Sequence, residues 1–250
     1  MIDTTTIVIV AGTFLIAGTV KGVIGLGIGM VSLALLTVAI RLPEAMSLLL
    51  VPAFVTNFWQ AIVGGNGKVI LLRIWAFLVA ATATVWIGAA ALTRVDLGLL
   101  SALLGLLLVF YSSINLSGYR LTLTPRQEIW LGPLAGFING LFAGMTGSFV
   151  VPGVMFLQAI GLPRDMLIQA MGILFTVSTA ALALALQNNN FLTVELSVLS
   201  TAALIPAVFG MIIGQRIRKK MSEQTFLRVF FISLFSLGAY IITDGLNALT

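Results

Sequence analysis

Residues 5–40 read TTIVIVAGTFLIAGTVKGVIGLGIGMVSLALLTVAI, with one charge, at Lys21. A continuous helix of that length, at about 1.5 Å per residue, would reach roughly 55 Å, against about 30 Å of hydrocarbon in a bilayer. One straight crossing is therefore excluded, and the segment must bend. The bend falls in Lys21-Gly-Val-Ile-Gly-Leu-Gly-Ile-Gly29, where Gly25, Gly27 and Gly29 stand in five residues and a helix would have poor propensity. Irregular backbone at membrane depth is tolerated only where it is buried in protein or faces an aqueous cavity.

The rest of the chain has the same character. Of 250 residues, 60% are apolar and 8% are charged, against roughly 25% charged in a soluble domain. Further uncharged runs extend from Ile129 to Pro163 and from Met166 to Val194. Apolar segments fall at about 5–20, 29–40, 45–63, 73–92, 97–117, 129–144, 149–160, 166–187, 191–213 and 226–243. These ten segments predict an all-α polytopic membrane protein with about eight full spans. Histidine and cysteine are absent, which removes disulfides, the usual zinc and haem ligands, and Ser-His or Cys-His nucleophilic machinery. No cofactor and no metal are expected. The N-terminus lacks the basic region of a cleaved signal peptide, so the first apolar segment is expected to stay in the mature chain.

The segments repeat. Gly27-Ile-Gly29, followed by Pro43, has a counterpart in Gly147-Ser148, followed by Pro163; the same shift of 120 pairs Thr56 with Thr176. Gly88 and Arg94 pair with Gly210 and Arg216 at a shift of 122. The chain thus divides into a first transmembrane repeat (1–118), a polar linker (119–128) and a second transmembrane repeat (129–250). The second repeat opens with its own break, Gly144-Met-Thr-Gly-Ser-Phe-Val-Val-Pro152, where Pro152 removes a backbone donor. Interrupted segments at matching positions of two repeats point to a transport site. The run Gly132, Gly136, Gly140, Gly144 reads equally well as a surface for close helix packing.

Basic residues in the connections orient the chain. If each repeat opens with a kinked crossing, the repeats run parallel. Arg41, Arg94, Arg164, Arg216, Arg218, Lys219, Lys220 and Arg228 then face Lys68, Arg73, Arg120 and Arg126, a split of eight to four. If each break is the tip of a hairpin, the repeats are inverted, and ten basic residues share one side with Arg41 and Arg94 opposite. The stronger bias favours inverted repeats in a bacterial inner membrane. Both arrangements put both termini outside. The cluster Arg216 to Lys220 reads as a cytoplasmic anchor, and the net charge of +5 implies no nucleic-acid partner.

The polar groups within the spans are Lys21, Asn57, Gln60, Asn139, Thr146, Ser148, Gln158, Gln169, Thr176, Ser178 and Thr179. No acidic residue sits in mid-span, so an anionic substrate fits better than a cation. The expected substrate-binding residues are Lys21, Gly25, Gly27, Gly29, Asn57, Gln60, Asn139, Thr146, Gly147, Ser148, Gln169 and Thr176. Half-helices starting after Gly29 and Gly147 would add exposed N–H groups at positive dipole ends. Lys21 also reads as a snorkelling lysine, and the amides as interhelical links.

The paired breaks, each ahead of an apolar segment ending in Leu-Pro (Leu42-Pro43 and Leu162-Pro163), resemble the signature of the sulfite exporter TauE/SafE family of anion transporters. The second repeat is the more similar, in Gly140-Leu-Phe-Ala-Gly144-Met-Thr-Gly147-Ser148-Phe-Val-Val-Pro152. The resemblance implies export or uptake of small sulfur-containing or organic anions such as sulfite, sulfonates or sulfoacetate, by alternating access at a site between the repeats. The expected partners are a small anion, membrane lipids and, as an allowed assembly, a second copy in a homodimer. Ser32 stands where the family pattern often has the proline found at Pro152, which predicts a softer first bend. The readings set against transport are a non-transporting membrane assembly partner and a membrane-embedded enzyme.

Overall fold

The computed structural model describes residues 3–119, 121–220 and 222–248. Among them every regular element is helical: α1 (Thr4–Ile24), α2 (Ile28–Thr37), α3 (Leu42–Ile62), α4 (Gly67–Ala83), α5 (Val85–Ala89), a 3-10 turn (Ala90–Thr93), α6 (Leu97–Ser117), α7 (Pro125–Thr146), α8 (Gly153–Ala159), α9 (Arg164–Asn188), α10 (Val194–Arg218) and α11 (Glu223–Asn247). With α4, α5 and the 3-10 turn taken as one crossing, eight helical stretches among the described residues are long and apolar enough to span a membrane. The protein is a multi-pass membrane protein. Its outward-facing side chains agree: all four tryptophans, Trp59, Trp75, Trp86 and Trp130, are exposed, a surface that lipid solvates and water does not.

The chain folds as two compact units that do not coincide with the two sequence repeats; each draws helices from both. One unit comprises Met1–Pro52, Val95–Tyr119 and Asn190–Thr250. In it α1 packs on α10. Gly18 meets the Ala207 backbone and Gly22 meets Met211 and Gly214, so residue numbers climb together and the two helices run parallel. α6 and α11 run antiparallel, with Gly98 against Gly245 and Gly105 against Gly238. Tyr111 and Phe231 close this pair edge to face at 5.6 Å.

The first part of α3 belongs to the same unit and carries Pro52 at its end. A helical proline has no N–H, so the carbonyl four residues back, that of Leu48, loses its intrahelical donor. Ser200 of α10 donates to that carbonyl at 2.8 Å and also accepts from the Val51 N–H at 3.1 Å. One hydroxyl therefore compensates for the proline and docks α3 on α10.

The other unit comprises Ala53–Arg94 and Arg120–Asn189. Here α7 lies parallel to α4 and α5, with Gly136 on Phe77, Gly140 on Ala81 and Thr84, and Gly144 on Val85. A β-carbon at Gly140 or Gly144 would overlap backbone carbonyl oxygens of the partner. The glycine run expected either to pack or to break thus packs through its whole length. The division of α4 from α5 falls at Thr84, whose hydroxyl meets both the Ala80 and the Phe137 carbonyls at 2.9 Å. Phe77 stacks on Phe156 at 4.8 Å between ring centroids.

Candidate functional site

Each repeat opens with a helix that stops at a left-handed glycine. α1 ends at Gly25, with φ of 83°, whose N–H donates to the Lys21 carbonyl at 2.8 Å. α7 ends at Gly147, with φ of 75°, whose N–H donates to the Ala143 carbonyl at 2.8 Å. The cost of that conformation for any side chain explains glycine at both positions. The two caps are 122 residues apart. Gly25, and not Gly27, is therefore the structural counterpart of Gly147, and the register of 120 read from Gly27 is corrected by two residues. The half-helices also start elsewhere than expected: α2 begins at Ile28, after Gly27, and α8 at Gly153, after Pro152.

In the second repeat the break is the tip of a hairpin. The Leu123 N–H, just before α7, donates to the Ala159 carbonyl at the end of α8 at 2.8 Å, so the chain returns to where it entered. Arg73 of α4 fastens the two limbs. Its guanidinium holds Glu128 of α7 through Nε at 3.0 Å and a terminal nitrogen at 2.6 Å, and that same nitrogen donates to the Ile160 carbonyl at 2.7 Å. In the first repeat α2 packs back on α1. Gly27, at φ of 134°, lies against Val20, where a β-carbon would stand 2.8 Å from a Val20 methyl.

The expected site residues divide between the units. Lys21, Gly25, Gly27 and Gly29 belong to the first. Lys21 is 4% exposed in the last turn of α1, and the β position of Gly29 opens on free space. The remaining eight belong to the second. Of these, Gln60 donates to the Ile168 carbonyl at 2.7 Å, and Gln169 donates to the Ala61 carbonyl at 2.8 Å while accepting from the Asn66 N–H at 3.1 Å. These two amides link α3, α4 and α9. Thr146 donates to the Phe142 carbonyl and accepts from the Ser148 N–H, completing the cap. Thr176 donates to the Gly172 carbonyl of its own helix. Asn57 is buried on α3, where its carbonyl touches Gly172.

Asn139 and Ser148 differ. Asn139 is fully buried; its Oδ1 accepts from the Gly153 N–H at 3.0 Å, while its Nδ2 has no partner. Ser148, 2% exposed, leaves its hydroxyl unpartnered. Among the described residues, five buried side-chain atoms lack a hydrogen bond. The other three are the hydroxyls of Ser112, Ser178 and Thr179. Ser112 stands by itself on α6, whereas Asn139, Ser148, Ser178 and Thr179 all belong to the second unit. Each such atom costs about 1–3 kcal/mol when nothing compensates it. Ser178 and Thr179 were in the sequence inventory but not among the expected ligands. Their one signal is density: Thr176, Ser178 and Thr179 put three hydroxyls into four residues of mid-helix.

The resemblance carried by these glycine breaks extends along the chain. The family model for the sulfite exporter TauE/SafE covers residues 10–241. The chain belongs to the TauE/SafE family. No curated protein and no solved structure matches it. TauE/SafE membership makes the protein a membrane transporter, and the match spans both repeats with their breaks.

Proposed function

We propose that the protein carries small sulfur-containing or organic anions, such as sulfite, sulfonates or sulfoacetate, across a bacterial inner membrane by alternating access. The observation that carries this reading is the pair of left-handed glycine caps, Gly25 and Gly147, closing α1 and α7 at equivalent positions, with unpartnered donors beside the second. The charge distribution favours an anion. Acidic residues occupy helix ends: Glu44, Glu128, Asp165 and Glu195 lie in first turns, and Asp3 and Asp96 are N-caps. A cation would find no carboxylate in mid-span, whereas the buried groups there are Lys21 and neutral donors, which suit an anion. We read the protein as a carrier and not an enzyme, because a chain without histidine or cysteine offers few groups for nucleophilic or metal chemistry.

The test is anion uptake by proteoliposomes holding the purified chain, run with sulfite, methanesulfonate, sulfoacetate and acetate beside sodium and potassium salts of an inert anion. Saturable anion flux that protein-free vesicles lack is the expected result. Flux that follows the cation, or none with any anion, overturns the reading.

A further inference from the structure

We infer that Asn139, Ser148, Ser178 and Thr179 form an electrically neutral seat for a singly charged oxyanion, and that Ser178 and Thr179 of α9 are substrate-binding residues; this rests on the anion-transport reading above. The hydroxyls carry the argument first. Helical hydroxyls in this chain habitually donate to the carbonyl four residues back, as Ser32, Thr37, Ser47, Thr146 and Thr176 do. Ser178 and Thr179 have the same option in the Leu174 and Phe175 carbonyls and do not take it, although both are at most 1% exposed. A buried hydroxyl turned away from its own backbone is aimed at something else.

The surroundings place them with the hairpin. The rings of Phe149, next to Ser148 in the tip, and Phe175 on α9 lie 6.3 Å apart between centroids. Ser178 and Thr179 follow Phe175 by three and four residues, one helical turn on the same side. Asn139 is tied to the returning limb by its bond from Gly153. α7, α8 and α9 pack on one another in this unit; α7 carries Asn139, α9 carries Ser178 and Thr179, and Ser148 stands in the tip between α7 and α8.

The chemistry follows from the donor set. An amide NH2 can only donate, and three hydroxyls can each donate, so a ligand bearing several acceptor oxygens satisfies all four. No described buried residue of this unit is charged; the buried charge among the described residues is Lys21, in the other unit. Ion desolvation rises steeply with charge, and neutral donors offset it for one negative charge far better than for two. The seat therefore selects a sulfonate, a carboxylate or hydrogensulfite over sulfate or fully deprotonated sulfite.

The experiment uses the purified full chain and follows thermal unfolding against methanesulfonate and sulfate at matched ionic strength. Methanesulfonate should stabilise the wild type with at least tenfold lower Kd than sulfate. Ser178→Ala and Thr179→Val should melt at or above the wild-type temperature without ligand, because each removes an unpartnered polar atom. Each should raise the methanesulfonate Kd about tenfold, the usual loss for a hydrogen bond to a charged group. Thr201→Val, on an exposed hydroxyl bonded to its own helix, should change neither quantity. Wild-type Kd retained in both variants, or sulfate bound as tightly as methanesulfonate, overturns the neutral seat alone. The second comparison needs no variant and stands if a variant fails to fold. A wild type that responds to no anion removes the transport reading as well.

Discussion

Lys21 shows what one residue contributes when its position and burial are read together. It is a cation 4% exposed in a helix that crosses the membrane, one turn before the cap that ends that helix. Placing a lysine at membrane depth costs at least ~2.5 kcal/mol on insertion scales, so its charge serves a purpose there. A buried cation attracts an anion most strongly where water is excluded. Lys21→Met should therefore leave the protein inserted and folded while weakening methanesulfonate binding about tenfold or more. Lys21→Arg should keep part of the affinity, because the charge survives while donor geometry changes. Calorimetric titration of the three proteins checks this. Undiminished affinity in Lys21→Met would assign recognition to neutral donors and backbone alone. Which hydroxyls stay without a hydrogen bond could not be read at this scale from sequence. Thr176, Ser178 and Thr179 look alike as letters, and only their rotamers separate the one bonded to its own helix from the two that are not.

Among elements, the α7–α8 hairpin was legible in part. Gly147 and Pro152 marked its break, because a left-handed cap and a missing donor are written in residue type. Its closure was not, because the Arg73 contact joins residues 55 and 87 positions apart. Arg73 had entered the sequence reading only as a charge in a connection. In the structure α4 starts at Gly67 and not near residue 73, since an apolar window stops at Lys68 and Arg73 whereas the helix continues into the interface, where such side chains are solvated. The guanidinium binds Glu128 through two nitrogens but is partly exposed, so the pair contributes about 1 kcal/mol or less. Its further bond to the Ile160 carbonyl gives it leverage on the hairpin. Arg73→Ala should lower the melting temperature by a few degrees and increase hydrogen exchange at residues 123 and 159–161. Arg73→Lys should restore little, since an ammonium cannot hold both limbs in the same fork. Unchanged exchange in Arg73→Ala would mean that the hairpin is held by its apolar packing.

At the scale of the whole molecule the eight long apolar helices were legible and their grouping was not. Composition and charge spacing mark a span wherever it packs, but neighbours follow from surfaces far apart in sequence. The first helix of each repeat packs on the fourth segment of the other: α1 on α10, and α7 on α4 and α5. Neither 1–118 nor 129–250 is thus a compact unit by itself. Sidedness follows from counting crossings. A hairpin that returns to its entry adds none, as the Leu123 to Ala159 bond requires of α7 and α8. If α9, α10 and α11 each cross once from there, Arg126, Arg164, the basic cluster from Arg216 to Lys220 and Arg228 belong to connections on the same side of the membrane. Counting back through α6, α4 with α5, and α3 then puts Lys68 and Arg73 on that side too, with Arg41 and Arg94 opposite, whatever α1 and α2 do. Arg120, the tenth residue of the majority face, lies outside the described residues. Basic connections stay cytoplasmic, so Arg41→Cys and Arg94→Cys should each react in intact cells with an impermeant thiol reagent, while Arg164→Cys should react only after lysis. The chain has no native cysteine to confuse the reading. Arg41 and Arg94 are separated by two spans, Leu42–Ile62 and Gly67–Thr93, and share a side whether α1 and α2 form a hairpin or one kinked crossing; Asp3→Cys tells these apart, reacting from outside with a hairpin and only after lysis with a kinked crossing. Labelling of Arg41→Cys and Arg94→Cys only after lysis would overturn this orientation, and labelling of Arg164→Cys together with Arg94→Cys from outside would overturn the hairpin count in the second repeat.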